Sequence, residues 1–219
     1  QDSRTSSAIV NYSENQPTGL EFTYSVWILL NSTNTSANSK YAHIFNKGIV
    51  DGSNITVSGV NNMSNAPGLY VKGNTDGTST LRVYMDTFSQ SGPIQNIDDQ
   101  RTTMDISGVP YNKWVNVIIR CQNTTLDVYV NGTITKSQEL HGVPKQNYGN
   151  VYVGQNGGFA GYVSNLWYYD YALGTTEIQN MVTKGPNTDM ANNSSMSMKD
   201  PNYLSLRWFF YGANDAFNP

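Results

Sequence analysis

At 219 residues and a formal net charge of −3, the chain is long enough to bury one large core, and its thirteen Lys and Arg are scattered rather than gathered into a stripe, so a nucleic-acid partner is not expected. Charged residues make up 13% of the sequence, against ~25% in ordinary globular domains, so the surface must be polar through amides and hydroxyls. The apolar runs fall short of the ~20 residues that cross a bilayer, and the single cysteine, Cys121, excludes an intrachain disulfide.

Glu21 to Leu30 alternates as a strand, with Phe22, Tyr24, Val26, Ile28 and Leu30 on one face and Thr23, Ser25, Trp27 and Leu29 on the other. Both faces are apolar toward the end, which places this strand centrally in a sheet. Further strands are predicted at Ala8–Tyr12, Tyr41–Lys47, Asn54–Ser58, Gly68–Lys72, Thr80–Thr87, Trp114–Cys121, Thr125–Asn131, Thr133–Ser137, Val151–Gly154 and Gly161–Tyr169. The pieces between them are rich in Asn, Gly, Ser and Asp, which tolerate turn geometry. Asn131-Gly132 is a strong hairpin signal, because a type I′ turn needs positive φ at both positions. Val115, Val117 and Ile119 are expected to face the core, as are Leu126, Val128 and Val130; Trp114 is expected between the sheets. One helix is predicted at Thr176–Lys184, capped by Thr175, striped with Ile178, Met181 and Val182, and ended by Gly185-Pro186. Many short strands and one helix indicate an all-β antiparallel sandwich, a jelly roll, over residues 1–186. Residues 187–200 read as a polar tether. Residues 201–219 hold Leu204-Ser-Leu-Arg-Trp-Phe-Phe-Tyr211, expected to return as a strand beside the N-terminal one. Because residue 1 is Gln, any targeting or anchoring segment is expected to lie outside this sequence.

Catalytic signatures are lacking. Retaining glycosidases need two carboxyl groups about 5–5.5 Å apart. None of Glu14, Glu21, Glu139 and Glu177 has an acid two or four residues away, and the neighbours Asp98 and Asp99 would point to opposite sides of a strand. Cys121 ends a core strand and reads as a buried, inert thiol. His43 and His141 lack metal-ligand spacing, so structural roles are favoured. The concentrated aromatic run Tyr168-Tyr169-Asp170-Tyr171 could offer stacking platforms, although aromatics also fill strand cores. Sequons begin at Asn11, Asn31, Asn34, Asn54, Asn62, Asn123, Asn131, Asn192 and Asn193, a modest excess for an Asn-rich chain and consistent with a glycosylated surface protein.

Phe22-Thr-Tyr-Ser-Val-Trp-Ile28, Ile44-Phe-Asn-Lys-Gly48, Pro67-Gly-Leu-Tyr70, Asn112-Lys-Trp-Val-Asn-Val117, Val128-Tyr-Val-Asn-Gly132 and Gly161-Tyr-Val-Ser-Asn-Leu-Trp-Tyr168 follow one another in the order of laminin-G-like domains. Over residues 20 to 186 the chain resembles the concanavalin A-like lectin/glucanase superfamily, in its laminin-G and pentraxin-like branch. The resemblance implies a sandwich that recognises or scaffolds rather than catalyses, and no required cofactor. Many relatives bind calcium at a sandwich edge. Here the matching stretch Gly154-Gln-Asn-Gly-Gly-Phe159 lacks an acid, leaving Gln155, Asn156 and, in the loop Gly73-Asn-Thr-Asp-Gly77, Asp76 as candidate ligands, with a turn role favoured for Asp76. Lectin-type binding would draw on Tyr168 and Tyr169. The wording at Ile44–Gly48 and Ala172-Leu173 is similar to that in large DNA viruses of algae and protists. It implies a non-catalytic virion surface or minor capsid component held by other particle proteins. The alternative is an extracellular or cell-surface lectin-like adhesion module that binds glycans or another protein.

Overall fold

A computed structural model describes residues 8–10, 21–31, 40–48, 64–88, 101–145 and 149–188. The expected strand at Asn54–Ser58, the tether beyond residue 188, the C-terminal strand, and the sequons at Asn11, Asn34, Asn54, Asn62, Asn192 and Asn193 lie outside these residues. The described strands are β1 (Ala8–Val10), β2 (Glu21–Leu30), β3 (Ala42–Lys47), β4 (Gly68–Gly73), β5 (Ser79–Asp86), β6 (Arg101–Val109), β7 (Trp114–Gln122), β8 (Thr125–Val130), β9 (Thr133–Glu139), β10 (Val151–Val153) and β11 (Gly161–Tyr169). The helix α1 spans Thr175–Lys184.

The described strands form two antiparallel sheets, one in the order β1-β10-β3-β4-β5-β6 and one in the order β11-β2-β7-β8-β9. Together they make the β-sandwich that the alternating sequence predicts. Because side chains alternate along a strand, partners in register form rows on the inner faces. Across β2, β7 and β8 the rows are Phe22–Cys121–Leu126, Tyr24–Ile119–Val128 and Val26–Val117–Val130. The opposite sheet supplies Leu69–Val83–Met104 and Val71–Leu81–Ile106. These residues form the main core, and burying one such Leu, Ile or Val contributes about 1.5–3 kcal/mol. Asn131 and Gly132 both have positive φ (50° and 80°), as the hairpin signal requires.

Two expectations need correction. Arg101–Val109 forms β6, an edge strand that the apolar pattern does not reveal. Trp114 does not lie between the sheets: Val115 pairs with the core residue Ile28, so Trp114, paired with Leu29, alternates to the outer face and is half-buried. Trp114→Ala is accordingly expected to cost about 1–2 kcal/mol, below the 3–5 kcal/mol of a fully buried Trp. Urea unfolding would check this, and a loss above that range would return Trp114 to the core.

Candidate functional site

The outer face of the five-stranded sheet is not open along its length, because α1 and its lead-in lie across it. Thr23 makes the first attachment: its hydroxyl donates to the Tyr171 carbonyl (2.9 Å) and accepts from the Leu173 N–H (3.0 Å). Arg120 donates to the Leu173 carbonyl (3.0 Å) while it pairs with Asp127 (2.7 Å). Leu173 and Ile178 bury against Ile118, with Tyr129, Tyr169 and Met181 around them. At the far end Gln179 donates to the Gly132 carbonyl (2.9 Å) at the tip of the β8–β9 hairpin.

The helix begins one residue earlier than expected. Gly174 is the cap rather than Thr175, and the Glu177 carboxylate accepts from the Gly174 N–H (2.9 Å) and from the Tyr171 hydroxyl (2.8 Å). The Gly174 bond first, and the Tyr171 bond second, hold the Glu177 carboxyl below its ordinary range. At the other end Gly185 takes φ 72°, the positive-φ stop that the Gly-Pro pair predicts.

Between α1 and β11 lies a groove of about 350 Å³. Trp27, Tyr169, Leu173 and Met181 line it with apolar surface, Trp167 stands beside them, and Glu177, Asn180 and Lys184 supply polar groups. Trp27 is 7% exposed and Trp167 54%.

A β-bulge creates this arrangement. Ser164 pairs with Trp27, but the next aligned pair is Trp167 with Ser25, so β11 carries one extra residue there. Asn165 takes up the distortion at φ 48°, and its amide donates to the Gly185 carbonyl (3.3 Å). Strict alternation from Tyr162 and Ser164 would send Leu166 and Tyr168 outward. Val163, before the bulge, points inward by alternation; the bulge turns Leu166 and Tyr168 inward as well and brings Trp167 and Tyr169 to the groove.

The expected ligand residues are thereby divided. Tyr169 lines the groove. Tyr168 faces the interior, its ring 4.9 Å from that of Tyr24 and beneath the Lys47 ammonium at 5.7 Å. Asp76, Gln155 and Asn156 sit elsewhere. Val153 pairs with Phe45 and Val71 with Ala42, so β10 and β4 both leave the six-stranded sheet at the same end, where the turns carrying these three residues share a rim. Asp76 there closes a turn: its carboxylate accepts from the Thr78 hydroxyl (2.7 Å) and N–H (2.9 Å), bonds that hold its pKa below the usual value. A hard cation needs several converging oxygen ligands. One turn-bound carboxylate and two amides do not form such a set, and among the described residues no three His, Cys, Asp or Glu side chains come together to hold a metal.

His43 anchors this rim from inside. The Gln155 N–H donates to His43 Nδ1 (3.1 Å), which must therefore be unprotonated, and Nε2–H donates to Asn46 Oδ1 (2.8 Å). Burial pushes the His43 pKa down to about 4. Burial likewise raises the Cys121 thiol to about 12, the inert state expected of it. His141 lies in the loop after β9, its N–H bonded to the Thr102 hydroxyl (3.3 Å). Of the described sequons, Asn123 and Asn131 occupy exposed turns and Asn31 is half-buried; Asn131 Oδ1 accepts from the Asn116 N–H (2.8 Å).

The solved structures that share this architecture include three neurotoxin domains. The binding domain of botulinum neurotoxin serotype D superposes with a TM-score of 0.58 at 14% identity, over 84% of this chain and 41% of that one. The binding domain of botulinum neurotoxin DC in complex with SialylT gives 0.56 at 14% identity, over 81% and 39%. A binding domain of the same toxin in complex with rat synaptotagmin II gives 0.55 at 15% identity, over 81% and 40%. The chain spans about two fifths of the length of these structures, and at such identities they share its fold. A comparison with curated proteins yields no match. In sequence, residues 2–179 match the family model described as concanavalin A-like lectin/glucanases superfamily. This lectin-like sandwich belongs to that superfamily.

Proposed function

We propose that the chain is a non-catalytic recognition module that binds a saccharide in the groove between β11 and α1. The carrying observation is Trp167, a half-exposed indole beside a second Trp and next to amide and charged side chains. Sugar rings present an apolar face that stacks on such a surface and hydroxyls that pair with amides. Roughly 100 Å² of indole is left in water, and covering it would contribute about 2–3 kcal/mol. The similar domains were solved with SialylT and with synaptotagmin II, which supports a recognition role in general. Asp86, Asp105 and Asp127 are each held by an arginine, and Asp76 and Glu177 are held by local hydrogen bonds, so these carboxylates are poorly placed to act as an acid/base pair.

Tryptophan fluorescence against a glycan panel tests the reading. Trp167→Ala should weaken saccharide binding tenfold or more, about 1.4 kcal/mol, and leave the melting temperature nearly unchanged. Equal binding by the variant sinks the groove as the site. Reducing ends released from β-glucan, chitin or alginate, and lost on substituting one Asp or Glu, would overturn the non-catalytic reading.

The proposed setting is the surface of a large DNA virus particle, in contact with capsid proteins. Its support is the sequence wording at Ile44–Gly48 and Ala172-Leu173 together with the low charge. Mass spectrometry of purified particles should find the chain; recovery from a cell-surface fraction alone would favour the adhesion alternative.

A further inference from the structure

We infer that the groove selects uncharged saccharides and discriminates against carboxylated ones; this rests on the saccharide reading above. The argument is a charge inventory. Among the described residues the charged side chains lining the groove are Glu177 and Lys184. They sit in the first and last turns of α1 respectively. A helix carries about half a positive charge at its N-terminus and half a negative charge at its C-terminus. Glu177, fixed to the Gly174 N–H, offsets the first, and Lys184, in the last turn, offsets the second.

Each end is therefore already compensated, and the groove has no net charge to offer. A carboxylate entering it would lose water and meet in Lys184 a cation whose charge is already balanced by Glu177 and by the helix C-terminus, which disfavours binding. It would also meet the Glu177 carboxylate, which stays ionised because its pKa is lowered. What remains for a ligand is the apolar surface of Trp167, Trp27 and Tyr169 and the amide of Asn180, which suits hydroxyls and C–H faces. The same inventory predicts that a small reduction in negative charge changes the selectivity.

The test uses the full chain and matched pairs of glycans that differ only by a terminal sialic or uronic acid, titrated by calorimetry. The neutral member is expected to bind with an affinity that is insensitive to salt, and the acidic member at least tenfold more weakly. Glu177→Gln, which keeps an acceptor for the Gly174 N–H, is expected to raise the affinity of the acidic member about two- to sixfold, the effect of one unit charge at 4–8 Å in water. Trp167→Phe should retain binding that Trp167→Ala loses, which separates the site from a folding defect. Acidic glycans binding as well as neutral ones or better, in a Trp167-dependent way, overturn the selectivity and leave the saccharide site standing. No Trp167-dependent binding of any saccharide, including an outcome in which only peptides bind, overturns both.

Discussion

Replacing Asp86 by alanine is expected to destabilise the protein by about 3–5 kcal/mol, a large part of the 5–15 kcal/mol that holds a domain of this kind together. Asp86 and Arg101 face each other on β5 and β6 with side chains only 7% and 4% exposed. The carboxylate accepts two bonds from the guanidinium (2.6 and 3.2 Å) and a third from the Asn65 N–H (2.7 Å). Asn65 in turn accepts from the Tyr70 hydroxyl (2.6 Å), so one carboxylate ties the turn before β4 to β4, β5 and β6. Removing it leaves a buried guanidinium with the Tyr84 ring at 5.1 Å as its neighbour, and a ring face does not replace a carboxylate. The cost comes from the stranded charge more than from the lost attraction. Asp86→Ala combined with Arg101→Met should therefore recover most of the stability, since burying an ion pair gains little over burying an apolar pair. Urea midpoints at unchanged m-value give the comparison. If the double variant is as weak as the single one, the stranded-charge account fails.

Acid should unfold the protein in part through His43. Its folded pKa of about 4 lies below the ordinary 6.5, because burial disfavours the imidazolium and the bond to Asn46 offsets this only partly. A depressed folded pKa means that the unfolded chain takes up the proton first. The stability due to neutral His43 is thus fully present above pH 6.5 and is lost as the pH falls from 6.5 toward 4. The loss is about 3 kcal/mol, since each tenfold difference in proton affinity between the folded and unfolded chain is worth about 1.4 kcal/mol. Carboxylates titrate in the lower part of this range, so the measurement is the difference between wild type and His43→Gln. Stability curves that run parallel from about pH 7 to pH 4 would show that His43 titrates normally. Protonation also removes the acceptor of the Gln155 N–H, so hydrogen exchange at Gln155 should rise first.

Where single residues dictate backbone geometry, the sequence is readable. Asn131-Gly132 could form little else but its turn, Gly185-Pro186 ends α1, and the two-sided apolar pattern of Glu21–Leu30 marks a strand with neighbours on both edges and cover on both faces. β6 escapes because its inward residues give only Met104 and Ile106 after Thr102, a thin apolar signal, before an irregularity between Ile106 and Val109, at Gly108, interrupts the alternation. Trp114 is misleading because its size suggests a core position while alternation from Val115 sends it outward. Of the aromatic run, Tyr169 is recognisable but Trp167 is not. Its exposure depends on an extra residue in β11 relative to β2, a relation between two strands that neither strand shows alone.

That extra residue makes the groove a matter of parity. Deleting Asn165 would remove the bulge and leave the register beyond it unchanged: Leu166 would fall opposite Val26 and Trp167 would stay opposite Ser25, so Trp167 and Tyr169 would remain outward and Tyr168 inward. What the deletion would remove is the amide bond from Asn165 to the Gly185 carbonyl at the end of α1. Pairing the full-length strand without its bulge has the opposite result, turning Trp167 and Tyr169 into the sandwich and Tyr168 out to solvent. Among relatives of this domain, a one-residue gap at 165 in an otherwise matching strand should therefore mark a regular β11 that keeps the same aromatics outward.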